Sequence, residues 1–207
     1  LAALLSISWS HKSAAHPHVW VEGTAVLNFD PEKRIQTITV RYVLDEFTTA
    51  VIVEGLDHDG NGVYDRKELK ATAAENAEAL SEFNYFLEVT GPAGGIPVAD
   101  VVNYDYAYED DRMVLTLQLK LATSIDAGSK KFSVRLYDPS FYVLVELAPE
   151  PLLVNGIEAD FCRVTINGPA EASEGISLSD AVLEGFDPMA NIGRDYADEI
   201  SLSCGAG

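Results

Sequence analysis

Residues Asp57-His58-Asp59-Gly60-Asn61-Gly62-Val63-Tyr64-Asp65-Arg66-Lys67-Glu68 set oxygen-bearing side chains at loop positions 1, 3, 5, 9 and 12 and a glycine at position 6. That is the pattern of an EF-hand calcium loop. A hard divalent cation takes about six to eight oxygen ligands, the glycine permits the sharp turn, and the closing glutamate supplies two oxygens. In this reading Asp57, Asp59 and Asn61 each give one side-chain oxygen and Val63 gives its carbonyl. Asp65 contributes directly or through water, and Glu68 contributes both carboxylate oxygens. An Asp/Gly-rich surface turn could imitate part of the pattern, but the six constrained positions in register argue against imitation. Tyr64 departs from the usual aliphatic residue at position 8, which pairs with a second loop, so this loop is expected to stand alone.

His16-Pro17-His18 offers a different chemistry. Cleavage of an export signal after Ala15 would leave His16 with a free α-amino group beside its imidazole. Those nitrogens, with the His18 imidazole, can hold nickel, cobalt, zinc or copper. Pro17 has no amide proton to lose, so a square-planar site using a deprotonated second amide is closed, and any site uses the amine and imidazoles. The competing reading is that these residues simply begin a strand. His11 would leave with the signal, and His58 would point away from a calcium ion. Cys162 and Cys204 either form a bridge, which could contribute up to about 4 kcal/mol through loop closure, or remain two buried thiols. Export favours the bridge, and the absence of a Cys-x-x-Cys pattern argues against redox catalysis or a zinc knuckle.

Signals for catalysis are missing from the sequence. It contains no glycine-rich phosphate loop, Gly-x-Ser-x-Gly elbow or His-Glu-x-x-His helix. Asp45 and Glu46 are adjacent carboxylates, with Asp45 better read as a helix N-cap than as half of an acid/base pair. The expectation is therefore a protein that is not an enzyme. With 33 acids against 14 bases, the net charge of −19 repels nucleic acid and anionic membranes and attracts cations. Residues 1–15 read as the end of a secretory signal, an apolar run followed by the small residues Ser13 and Ala15. Residues 16–207 then form one exported domain, periplasmic or secreted, with no later stretch long and apolar enough to span a membrane.

The elements that must position these residues are mostly strands. His18 to Phe29 and Arg34 to Leu44 alternate in polarity around the turn Asp30-Pro31-Glu32-Lys33 and predict a hairpin. Glu46 to Gly55 predicts a short helix with Phe47, Ala50 and Val51 as its apolar residues. Asp65 to Phe83 predicts the exit helix, with a stripe of Leu69, Ala73, Ala77, Leu80 and Phe83. Further strands are expected at Tyr85 to Thr90, Val98 to Tyr108, Met113 to Leu121, Lys131 to Tyr137, Tyr142 to Leu147, Phe161 to Ile166 and Glu199 to Cys204. Gly168 to Gly185 reads as a loop and Asp187 to Tyr196 as a short helix. Tyr104, Tyr106 and Tyr108 share one strand face, which more often packs a core than lines a ligand groove. The expected fold is α+β, mainly an antiparallel sheet or sandwich with the helix-loop-helix inserted at about residues 46–83.

Several of these segments together resemble a bacterial exported family, domain of unknown function 1007, described as a periplasmic component of an ABC-type transport system. They are His16-Pro17-His18-Val19-Trp20, Asp45-Glu46-Phe47, Gly55 through Glu68, Tyr137-Asp138-Pro139-Ser140-Phe141-Tyr142, and Tyr196-Ala197-Asp198 with the end at Cys204. Glu171 to Glu184 does not match the pattern. Members of that family often have nickel or cobalt transporters as gene neighbours, so the resemblance implies a role beside a membrane metal transporter. The function expected is a periplasmic calcium-binding accessory or solute-binding component of a metal-ion transport system. Two alternatives use the same residues, a copper-dependent enzyme built on His16 and a purely structural calcium-stabilised interaction module. Intact-mass measurement of protein exported from its own signal should show loss of residues 1–15; retention of them would remove every metal site that needs the His16 amine.

Overall fold

The computed structural model describes residues 17–56, 60–61, 63–126, 128, 131–158, 160–169 and 191–205. Alternation of inward apolar and outward polar residues makes the first two strands, β1 (Val19–Phe29) and β2 (Arg34–Leu44), an antiparallel hairpin. The turn between them is held by Asp30, whose carboxylate accepts from the Arg34 amide at 2.8 Å and the Arg34 Nε at 2.9 Å. The remaining strands are β3 (Leu87–Gly91), β4 (Gly94–Gly95), β5 (Val98–Glu109), β6 (Arg112–Asp126), β7 (Phe132–Leu136), β8 (Val143–Asn155), β9 (Cys162–Asn167) and β10 (Glu199–Cys204). They form two five-stranded sheets, ordered β5-β6-β2-β1-β8 and β4-β3-β7-β10-β9. The inward sides meet in a core that includes Leu27, Ile38, Val40, Leu117 and Leu119 from the first sheet. Val134, Leu136, Ile200 and Leu202 come from the second. Each such side chain contributes about 1.5–3 kcal/mol by leaving water.

The expected antiparallel arrangement holds with one difference, since β1 pairs with β8 in parallel. β8 also runs eight residues past the expected end at Leu147, through Pro149 and Pro151. Prolines cannot donate to a ladder, and both fall among residues 148–151 that β1 leaves unpaired, on a strand that is paired on one side only among the described residues. The register slips between Gly23 and Ala25, which pair with Leu147 and Leu152 respectively.

Between β2 and β3, where the chain leaves the first sheet for the second, lie helices α1 (Glu46–Leu56) and α2 (Arg66–Ser81). Four residues of the stripe expected on α2 make its inward face, with Ala73 and Ala77 buried and Leu69 and Leu80 packed on the core, while Phe83 lies past the helix end at Ser81 and is exposed. The helix expected from Glu46 is present as α1, but its apolar residues do not all turn inward. Phe47 and Val51 are 77% and 58% exposed, while Thr49 and Leu56 are the buried residues. This helix is apolar nearly all round, so periodicity cannot choose its inner face. A buried hydrogen bond does, the Met113 amide donating to Thr49 Oγ1 at 3.0 Å. Of the expected helix before the last strand, a 3₁₀ turn at Ile192–Tyr196 is present, and residues 170–190 lie outside the described residues.

That 3₁₀ turn presses on the β7–β8 connection. A Cβ on Gly193 would fall 1.8 Å from the Asp138 carbonyl oxygen, and Phe141 stacks on Tyr196 with centroids 4.5 Å apart. Asp138 itself is buried and accepts from the Ser140 amide at 2.9 Å and the Val143 amide at 2.9 Å. Gly193→Ala should therefore destabilise the protein by about 3 kcal/mol or more, since backbone and not a flexible side chain must move. Chemical denaturation with an unchanged midpoint would show that the turn yields freely.

Candidate metal site

Asp45 begins the helical insertion. Its Oδ1 accepts from the Thr48 amide at 2.8 Å, and Oδ2 accepts from the Thr48 hydroxyl at 2.6 Å and the Trp20 amide at 3.1 Å. Burial pushes the Asp45 pKa up, but these bonds outweigh it and hold the carboxyl below the usual aspartate range. Asp45 is thus the N-cap expected, and it also fastens α1 to the start of β1.

α1 is described as far as Leu56, and the calcium-loop pattern begins at the next residue in sequence. Asp57 and Asp59, its first and third positions, lie outside the described residues, as does His58. Asn61 Oδ1 accepts from the Val63 amide at 2.6 Å, and the Val63 side chain is exposed. Asp65, the expected first residue of the exit helix, is the N-cap of α2, which begins one residue later at Arg66. Its Oδ1 accepts from the amides of Lys67 at 2.7 Å and Glu68 at 2.9 Å, while Glu68 Oε2 accepts from the Asp65 amide at 3.0 Å. This reciprocal capping box brings positions 9 and 12 together at the positive end of α2. Among the described residues no group of three His, Cys, Asp or Glu side chains is gathered to hold a metal ion.

Tyr64, the unusual residue at position 8, packs edge-on against Tyr108 of β5 with centroids 5.2 Å apart. Lys70 of α2 lies over the Tyr104 ring at 4.0 Å and donates to the Tyr104 carbonyl at 2.5 Å. Of the three tyrosines expected on one face, Tyr106 is buried, and the other two receive the loop and α2. A cleft of about 190 Å³ between the helices and the sheet is lined mainly by apolar side chains, among them Ile52, Leu80, Phe86 and Tyr106, with Thr48 and Asn76 as its polar groups.

The second candidate site is only half described. His16 lies outside the described residues. His18 sits just before β1, its amide donating to the Tyr142 carbonyl at 2.9 Å and its ring 5.0 Å from that of Tyr142. The expected bridge between Cys162 and Cys204 is present, joining directly opposed residues of β9 and β10.

Sequence reasoning missed a charged network on the second sheet. Glu88 accepts from Arg194 Nε at 2.9 Å, Arg135 Nη1 at 2.8 Å and the Tyr137 hydroxyl at 2.9 Å, and Arg135 also pairs with Glu199. Its members are scattered from Glu88 to Glu199, so no local spacing announces it. Burial alone would raise the Glu88 pKa, yet the bonds from Arg194, Tyr137 and Arg135 hold it below the ordinary value.

The fold is that of a two-sheet β protein with two helices inserted between β2 and β3 and a disulfide joining β9 to β10. The chain belongs to the family described as protein of unknown function DUF1007, whose profile matches residues 1–204. No curated protein matches it. Among the described residues, no helix is long and apolar enough to cross a membrane.

The Glu88 network carries a pH signature. Its contribution is complete above the ordinary glutamate pKa and is lost as pH falls through the lower folded value. Melting temperature measured down the acid range should fall less steeply for Glu88→Gln than for the wild type, from a lower starting value; parallel curves would mean that Glu88 ionisation is not linked to folding.

Proposed function

We propose that this chain is an exported calcium-binding protein, its ion held by Asp57, Asp59, Asn61, Asp65 and Glu68 with the Val63 carbonyl, and that it serves as an accessory component of a metal-ion transport system. The observation that carries the calcium reading is the junction of loop and helix. α1 is described as far as Leu56, and α2 starts after the ninth residue of the twelve-residue pattern, with Asp65 and Glu68 converging at the helix start. Calcium would draw Glu68 from the cap to the ion and relieve repulsion among four carboxylates crowded into one loop. Tyr64 on Tyr108 supports a solitary loop, because the sheet takes the part that a second loop takes in paired EF-hands. The role is structural: the loop is buttressed on a rigid strand, and calcium-rich surroundings fill sites of about 10⁻⁴ to 10⁻³ M affinity.

The transport role rests on the family resemblance and on the nitrogen ligands of His16 and His18, which would take nickel, cobalt, zinc or copper and pass it to a membrane transporter. Calcium would not displace such an ion, being hard and selective for oxygen.

Glu68→Gln separates the two duties of Glu68. Glutamine serves a capping box as well as glutamate does, so the apo protein should melt close to the wild type. Loss of the closing charge should weaken calcium binding by about tenfold or more and abolish most of the calcium-induced rise in melting temperature. Calorimetry giving wild-type calcium affinity in this variant would defeat the assignment.

A further inference from the structure

The two sheets have four edges, and three of them carry a feature that discourages a further strand. β8 contains Pro149 and Pro151. β4 is two residues long. β5 carries Asp100, Asp105 and Glu109, and Lys70 occupies its Tyr104 carbonyl. β9 has no such protection. It is paired with β10 on one side only among the described residues, contains neither proline nor carboxylate, and bears Arg163 as its sole charge. Val164 and Ile166 lie opposite the buried Leu202 and Ile200 yet are 41% and 50% exposed, so the apolar surface of the sheet runs on past its last strand.

The pleat determines which backbone groups this edge offers. Gly205 donates its amide to the Phe161 carbonyl at 3.1 Å, which sets Phe161 and, by alternation, Arg163, Thr165 and Asn167 to bond towards β10. Cys162, Val164 and Ile166 then turn their amides and carbonyls outward. The Cα separation of 4.0 Å between Cys162 and Cys204 agrees, being the narrow spacing of a pair without mutual backbone bonds. The bridge also pins β9 to β10, so the edge is held in place.

We propose that β9 pairs with β9 of a second copy of this chain, antiparallel about a two-fold axis at Thr165, making one continuous sheet across a dimer. In this register Val164 faces Ile166 of the second copy. Both turn their hydrogen-bonding groups outward, so each of the two symmetric pairings closes with both of its bonds. The exposed apolar rows merge, and the threonines meet at the centre. A shift of one residue would set Val164 against Thr165, mismatching both the bonding groups and the faces. Charge favours the same edge. A chain of net charge −19 repels its copy wherever carboxylates meet, and β9 supplies none. Arg163 faces Asn167, and the two arginines stand at opposite ends of the pair.

Sedimentation of the full, oxidised chain over a concentration series tests this. A reversible monomer–dimer equilibrium is expected, tightening several-fold as salt screens repulsion beyond a Debye length of about 8 Å. Val164→Pro removes an outward amide that β10 does not use, so it should raise the dimer dissociation constant about tenfold or more with little change in melting temperature. Should that variant fold poorly, Ile166→Lys places a charge in the merged apolar row without touching the backbone and should weaken the dimer likewise. Leu153→Lys, at an exposed apolar residue of β8, should leave it unchanged. The proposal is overturned by a chain that stays monomeric at every concentration and salt, or by a dimer indifferent to both β9 variants. Slow amide exchange at Val164 and Ile166 in dilute monomer would also overturn it, because the chain itself would then occupy the edge.

Discussion

Two apolar sheet faces that exclude water from one another set the terms for the rest of this molecule. Each inward side chain gains by burial only if the opposing face arrives in register, so the chain must leave one sheet and enter the other without exposing what it has buried. The crossings are where the unusual chemistry collects. The β2-to-β3 crossing carries both helices and the calcium-loop pattern. The β7-to-β8 crossing carries buried Asp138 and Phe141 at φ 59°, a left-handed conformation braced by Gly193 and Tyr196.

The first crossing explains why a loop rich in carboxylates can be carried by so acidic a chain. Asp45 and Thr49 bolt α1 to the first sheet through the Trp20 and Met113 amides, and α2 lies along β5 through Ala73, Ala77 and Lys70. The strands therefore hold both ends of the loop. Past α2 the chain pays in backbone strain, since Asn84, Tyr85 and Phe86 all lie at φ between 50° and 58°. The buried Tyr42 hydroxyl compensates by donating to the carbonyls of Tyr85 at 2.9 Å and Phe86 at 3.3 Å.

The second sheet is stabilised differently, by long-range ties in place of helices. Glu88, Arg135, Arg194 and Glu199 connect β3, β7, β10 and the 3₁₀ turn, while the Cys162–Cys204 bridge fastens the last two strands. Partly buried carboxylates accept such charged partners because each retains several hydrogen bonds in exchange for lost water. Both devices act on β10, whose three inward side chains, Ile200, Leu202 and Cys204, would hold it weakly.

The sequence by itself determined what local pattern can encode. Alternation announced the β1–β2 hairpin and β10 with its bounds, the stripe from Leu69 to Leu80 announced the inner face of α2, and the stretches on either side of the Asp57 to Glu68 pattern announced the two helices. Only the tertiary structure decided what depends on partners distant in the chain. α1 is apolar on most sides, and its orientation follows from one hydrogen bond to Met113, sixty-four residues away. β8 continues through two prolines because they fall where its register with β1 slips and because, among the described residues, it is paired on one side only, properties of sheet order that no strand carries in its own residues. Tyr64 looks anomalous in the loop pattern and becomes intelligible once Tyr108 lies against it. The Glu88 network had no signal at all, because ion pairs between remote strands leave no period in a sequence.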